Sequence, residues 1–133
     1  MTSLISLSNW LQASSNAVIA IQDGILIDKS QFSLKVLNWK SSLPLSVGQK
    51  WAVYHNDAVE FLAIAFALWQ SRCTVCIPGD TFKSTVDRLE STVSGFLGEF
   101  ERAERVSTNL EIVLDEIIEP LDKDFPAIEV YTS

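Results

Sequence analysis

Few side chains in this sequence could carry chemistry. There is one histidine, one pair of cysteines, and a chain end that runs Tyr131-Thr132-Ser133. Any Ser/His/Asp or Cys/His arrangement would have to use His55, the last residue of a predicted strand in Trp-Ala-Val-Tyr-His-Asn. Sites do gather at strand ends of parallel sheets, but a solitary histidine with no nucleophile beside it in sequence reads as structural. Asp115 and Glu116 are adjacent, so on a strand they face opposite ways and make a poor acid/base pair. Cys73 and Cys76 form C-x-x-C, yet the surrounding Cys-Thr-Val-Cys-Ile-Pro reads as a short buried strand. Residues three apart on a strand point to opposite faces, so the pair is poorly placed to share a metal or close a disulfide. A redox C-x-x-C normally opens a helix that stabilises its thiolate, and a zinc site would need further ligands. The sequence has no G-x-S-x-G, complete Walker A, G-x-G-x-x-G or H-E-x-x-H. It therefore offers no catalytic set and no metal set. What remains is the C-terminal stretch Phe-Pro-Ala-Ile-Glu-Val-Tyr-Thr-Ser, which ends on two hydroxyl residues.

Helices and strands must position those groups. Leu4, Leu7, Trp10 and Leu11 recur at helical spacing and predict an amphipathic helix over 3–13. Residues 17–21 and 25–27 flank Asp23-Gly24 and predict a β-hairpin. Ser30 is a candidate cap for a helix through Leu43, closed by Pro44 and Gly48. Residues 50–55 predict a strand, and Asn56 or Asp57 can cap a helix reaching Ser71. That helix is apolar almost all round, so it should be buried on several sides. Residues 74–77 predict a second strand, halted by Pro78-Gly79, and Asp80 or Thr81 can cap the next helix. Gly95 and Gly98 should loosen the segment after that helix. Further strands are predicted at 111–114 and 128–132. Strand, buried helix, strand is a βαβ unit with parallel strands. The predicted fold is an α/β layered domain with a mostly parallel sheet and flanking helices.

Composition sets outer bounds. The 133 residues suit one domain, with 47% hydrophobic and 20% charged residues. Ten basic residues face 17 acidic ones, for a net charge of −7. The basic residues form no stripe, which argues against nucleic acid as a partner. No signal-peptide pattern opens the chain, and no apolar run approaches the ~20 residues needed to span a bilayer. A cytoplasmic protein is expected. The mean hydropathy of +0.19 is high for a free-standing soluble domain and suggests apolar surface that meets something else.

The C-terminal stretch resembles the adenylate-forming enzymes: acyl-CoA synthetases, aryl-acid ligases, luciferases and peptide-synthetase adenylation domains. Their strand ends in Tyr/Phe-Thr-Ser, and a run of Gly, Ser/Thr and Gly comes next, then Pro-Lys. Upstream, Trp51-Ala-Val-Tyr-His-Asn56 and then Val59-Glu-Phe-Leu-Ala-Ile64 resemble the family's strand, Asn near the turn, and apolar helix. Cys76-Ile77-Pro78-Gly79 falls where the family has a strand ending in proline. Ile25-Leu26-Ile27 with Ser30 and Phe32 resembles the turn into its first long helix. The likeness covers nearly the whole chain in order and spacing. The chain departs from the pattern where the family places a glycine after the buried helix, since Ser71-Arg72 stands there.

The resemblance implies that residues 1–133 are one α/β domain, the N-terminal part of a longer AMP-forming ligase. Such enzymes join a carboxylic acid to ATP, with Mg²⁺, and pass the acyl group to coenzyme A or an acyl carrier protein. It implies that Thr132 and Ser133 begin an ATP phosphate loop whose glycines and lysine are not in this sequence. Catalytic residues are then none, the fragment should bind no cofactor and turn over no ATP, and its partner is the remainder of the ligase. Exposed apolar surface should make the fragment a homo-oligomer. The alternatives are a stand-alone, non-catalytic α/β assembly or binding module, and an unrelated small α/β enzyme or ligand-binding domain with a closed pocket near His55 and Asn56.

Overall fold

The computed structural model describes residues 17–100 and 124–131. The predicted helix over 3–13, the predicted strand over 111–114, Thr132 and Ser133 lie outside the described residues.

The chain enters through a hairpin, β1 (Val18–Gln22) against β2 (Ile25–Asp28), antiparallel. Its turn residues Asp23 and Gly24 have φ of 51° and 78°. Two left-handed residues in a row define the turn whose twist matches that of paired strands. Helix α1 (Lys29–Ser42) comes at once after β2. Its cap is Asp28, not Ser30. The Asp28 carboxylate accepts from Gln31 N at 2.8 Å, and Gln31 Oε1 accepts from Asp28 N at 2.9 Å. This reciprocal pair satisfies two backbone donors that the helix start leaves open.

A βαβ unit comes next: β3 (Lys50–Tyr54), α2 (Ala58–Gln70) and β4 (Thr74–Ile77), with β3 and β4 parallel. Asp57 caps α2 by accepting from Val59 N at 2.9 Å and Glu60 N at 3.1 Å. Residues Ala63 through Leu68 of α2 are all buried, as the apolar run requires, and Leu62 alone of its large side chains stands exposed. After α2 the chain reverses through Arg72, whose φ is 59°. A left-handed residue at this place is the usual way to end a helix, and glycine is its usual occupant.

Helix α3 (Lys83–Leu89) lies beyond β4. Its start is Phe82, with no side-chain cap. Asp80 instead accepts from Phe82 N at 2.9 Å and from Thr85 Oγ1 at 2.5 Å, ahead of the cap position. The segment expected to be loose is strand β5 (Gly95–Gly98), parallel to β3. β6 (Ile128–Val130) pairs parallel with β4. The sheet order is β5-β3-β4-β6, and every pairing in it is parallel.

Helices cover both faces. Trp51, Val53, Val75 and Leu97 project to one face and pack with Ile64, Ala65 and Leu68 of α2. Ala52 and Phe96 project to the other and pack with Val86 and Leu89 of α3. Helix α1 lies on α2, where Phe32 and Phe66 meet edge to face at 5.3 Å. Glu60 fixes that pair of helices, accepting from Lys35 Nζ at 2.6 Å and Trp39 Nε1 at 2.9 Å. The fold is therefore α/β, with a parallel sheet and flanking helices, as the alternation of elements implied. Among the described residues no helix is long and apolar enough to cross a membrane.

Candidate functional site

The topology selects one edge of the sheet. The chain leaves β3 for α2 on one face and leaves β4 for α3 on the opposite face. Adjacent parallel strands whose exits diverge in this way open a crevice at their carboxyl ends, and ligands of open α/β sheets bind there. This structure has a hollow of about 330 Å³ at that place, lined by Val53, Tyr54, His55, Asn56, Phe61 and Ile77. It is open to solvent, not the closed pocket that an unrelated small α/β protein would be expected to have.

His55 lies at the rim. Its Nδ1 accepts the amide N–H of Asp57 at 3.0 Å, and the Glu99 carboxylate stands 4.0 Å from the same nitrogen. In the neutral ring the proton then sits on Nε2. The Asp57 carboxyl lies below its ordinary value, chiefly because the Glu60 backbone N–H donates to it. No Lys or Arg lines the hollow among the described residues.

The C-terminal strand brings a second group to the same edge. Tyr131 N donates to Ile77 O at 2.9 Å, so β6 ends beside the end of β4. Thr132 and Ser133 come directly after Tyr131 in sequence, and the arrangement of their hydroxyls lies outside the described residues. The start of β6 is pinned as well: Trp69 Nε1 donates to Ala127 O at 2.8 Å and Thr74 Oγ1 to Pro126 O at 2.6 Å.

Sequence reasoning missed a polar cluster on the α3 side of the sheet. Glu129 accepts from Lys50 Nζ at 2.9 Å and from the Tyr131 hydroxyl at 2.7 Å. The hydrogen bond from Lys50 holds the Glu129 carboxyl below the ordinary range, with Tyr131 adding to it. The hydrogen bond to Glu129 in turn pushes the Tyr131 phenol up to about 12. The alternation of β6 places Glu129 and Tyr131 on one face, but Lys50 lies 79 residues away and no local signal joins it to them. The cluster ties β3 to β6 across β4 and leaves no charge unmatched, so it reads as a clamp.

The cysteines behave as the strand pattern implied. Cys73 sits in the core on the α2 side, and Cys76 faces Glu129 on the other side. Both are free and fully buried. Burial raises both thiols, which opposes the thiolate that reactivity or metal binding needs. Among the described residues no group of three or more His, Cys, Asp or Glu side chains could hold a metal ion.

The geometry defines a class: an open parallel α/β sheet with its working edge at the carboxyl ends of the strands. The sequence matches no known family profile and no curated protein. Similarity appears among solved structures. A fatty acyl CoA synthetase of Mycobacterium tuberculosis is 13% identical, with a TM-score of 0.50 over 82% of this chain and 28% of that one. The N-terminal domain of FACL13 from the same organism is 12% identical, with a TM-score of 0.42 over 68% of this chain and 32% of that one. An inhibitor-bound structure of that domain gives 12% and 0.43 over the same shares. This chain thus spans a third or less of each of these structures. Its fold resembles that of acyl-CoA synthetases, and at these identities the likeness concerns the fold.

Proposed function

We propose that this chain is the N-terminal part of an ATP-dependent ligase that activates a carboxylic acid as an acyl-adenylate and passes it to a thiol, coenzyme A or a carrier protein. The observation that carries the reading is the end of β6. Tyr131 reaches the carboxyl edge of a parallel sheet, beside β4, immediately before Thr132 and Ser133. The similarity in fold to a fatty acyl CoA synthetase supports it. In this reading residues 1–133 are one domain. The hydroxyls of Thr132 and Ser133 donate to phosphate oxygens at the start of a glycine-rich loop. Bound ATP and Mg²⁺ would supply the pyrophosphate leaving group and offset its charge. This chain's own contribution is to hold the strand: the Tyr131 amide on β4 and the Lys50–Glu129–Tyr131 clamp fix where the loop departs. The acid site and the thiol site belong to the remainder of the ligase, and the fragment alone turns over no ATP.

The test is to read the source gene past the codon for Ser133. Codons for Gly, Ser or Thr, and Gly, with Lys close behind, support the ligase. A stop codon overturns it for this polypeptide. Pyrophosphate exchange into ATP should be absent from the 133-residue chain and present in the extended protein when an acid substrate is supplied. The hollow at His55 and Asn56 favours one other reading, a stand-alone binding module.

A further inference from the structure

We propose that the crevice between the carboxyl ends of β3 and β4 binds a neutral small molecule in which an apolar ring carries a carboxamide or a group of like hydrogen-bonding capacity. The proposal stands on the strand ends alone and makes no use of the loop after Tyr131.

Position comes first. The crevice lies where the exits of β3 and β4 part to opposite faces, the place at which open α/β sheets take ligands. At about 330 Å³ it falls at the small end of ligand pockets, which run from roughly 300 Å³ upwards. A compact ring compound fits that size.

The lining then selects the chemistry. Phe61 and Ile77, both part-exposed, give apolar surface for a ring. Asn56 is exposed at the mouth and offers one carbonyl acceptor and an amide donor, the complement of a carboxamide. His55 adds a donor at Nε2, because its Nδ1 already accepts from Asp57 N.

Charge excludes anions. A helix N-terminus is ordinarily an anion site, and α2 begins at this crevice. Its donors at Val59 and Glu60 are already taken by the Asp57 carboxylate. Glu99 stands 4.0 Å from the His55 ring, and no basic side chain lines the hollow among the described residues. A carboxylate would find no Lys or Arg in the lining to pair with, while the Asp57 and Glu99 carboxylates stand behind the His55 ring. The same ring bearing a neutral amide meets neither penalty.

The test is a titration of the isotope-labelled 133-residue chain, monitored by nuclear magnetic resonance, with benzamide and separately with benzoate. Benzamide should shift the signals of Asn56, the His55 ring and the Ile77 methyl groups in a saturable way. Benzoate should bind at least tenfold more weakly, the factor that about 1.4 kcal/mol of mismatch produces. Asn56→Ala, an exposed change, should weaken benzamide by roughly tenfold through loss of its hydrogen bonds. Ile77→Phe should fill the hollow and abolish the shifts, with the rest of the spectrum reporting an intact fold. The proposal is overturned by no crevice shifts up to the solubility of benzamide. It is also overturned by benzoate binding as well as benzamide, or by unchanged binding in both variants. A failure here leaves the ligase reading standing, since that depends on the codons after Ser133.

Discussion

Asp57 holds two backbone donors of α2 through one carboxylate. The sequence exposed it, because an acidic residue immediately before an apolar helical run is a recognisable cap. Asp57→Ala should cost about 1 kcal/mol, measured as the shift in urea midpoint at unchanged slope. The hydrogen bonds depress its folded pKa, the Glu60 N–H most of all. That stabilisation is full above the ordinary carboxyl value of 3.8 and is lost as pH falls through the lower folded value. The Asp57→Ala deficit should therefore shrink on acidification below that value. Tyr131 has the opposite sign. Its phenol is raised from 10.0 to about 12 by the hydrogen bond to Glu129, so the stability it contributes is present below pH 10.0 and lost as pH rises through about 12. An ultraviolet titration should show a tyrosine ionising near 12, and Tyr131→Phe should remove that step. If the step survives the substitution, Glu129 does not accept from Tyr131 in solution. The Lys50–Glu129–Tyr131 cluster was not legible, because Lys50 reaches Glu129 only once β4 lies between β3 and β6.

At the scale of elements, periodicity and turn chemistry located the hairpin, α2 and β4, where apolar spacing and a sharp Asp-Gly or Pro-Gly signal agree. Starts and stops set by a competing residue were less legible. Ser30 has the right side chain for a cap, but Asp28 with Gln31 three places on makes the reciprocal pair and wins. Asp80 has the right side chain too, and it spends its carboxylate on the turn before α3. The largest difference is β5. Gly95 and Gly98 read as looseness, yet they allow β5 to lie against β3. A Cβ at Gly95 would collide with the Trp51 ring, and one at Gly98 would collide with the Tyr54 carbonyl. Gly98 also has φ of 103°, open to glycine and strained for other residues. Gly98→Ala should lose about 1–3 kcal/mol, seen as a lower melting temperature; a variant as stable as the parent would show that β5 is not held in this register. Arg72 has the same logic in reverse. It occupies a left-handed position with φ of 59°, where the resemblance placed a glycine. Arg72→Val should therefore lose about 1–2 kcal/mol relative to Arg72→Gly in the same unfolding assay.

For the whole molecule, local patterns gave the fold class and no more. The order β5-β3-β4-β6 requires the chain to pass from β4 back across β3 before it returns to the far side of β4. No spacing in the sequence encodes that path, since it is decided by which faces bury together. The same packing leaves apolar side chains unburied. Ile21 and Leu26 are paired across the hairpin on its outer face, 69% and 56% exposed, where an alternating strand would put polar groups. Val130 on the edge strand β6 is 68% exposed. Surface of this kind marks a contact with another chain or segment. The ligase reading supplies a partner in the longer protein, and in the isolated chain a second copy is the available cover. The 133-residue protein should therefore run as a dimer or larger species in light scattering. Ile21→Lys with Leu26→Lys should shift it toward the monomer, because two ammonium groups on the hairpin face cannot be buried without partners. A parent chain that stays at 14.8 kDa at high concentration would show that these side chains tolerate water. The mean hydropathy would then reflect the buried helix α2 and not an interface.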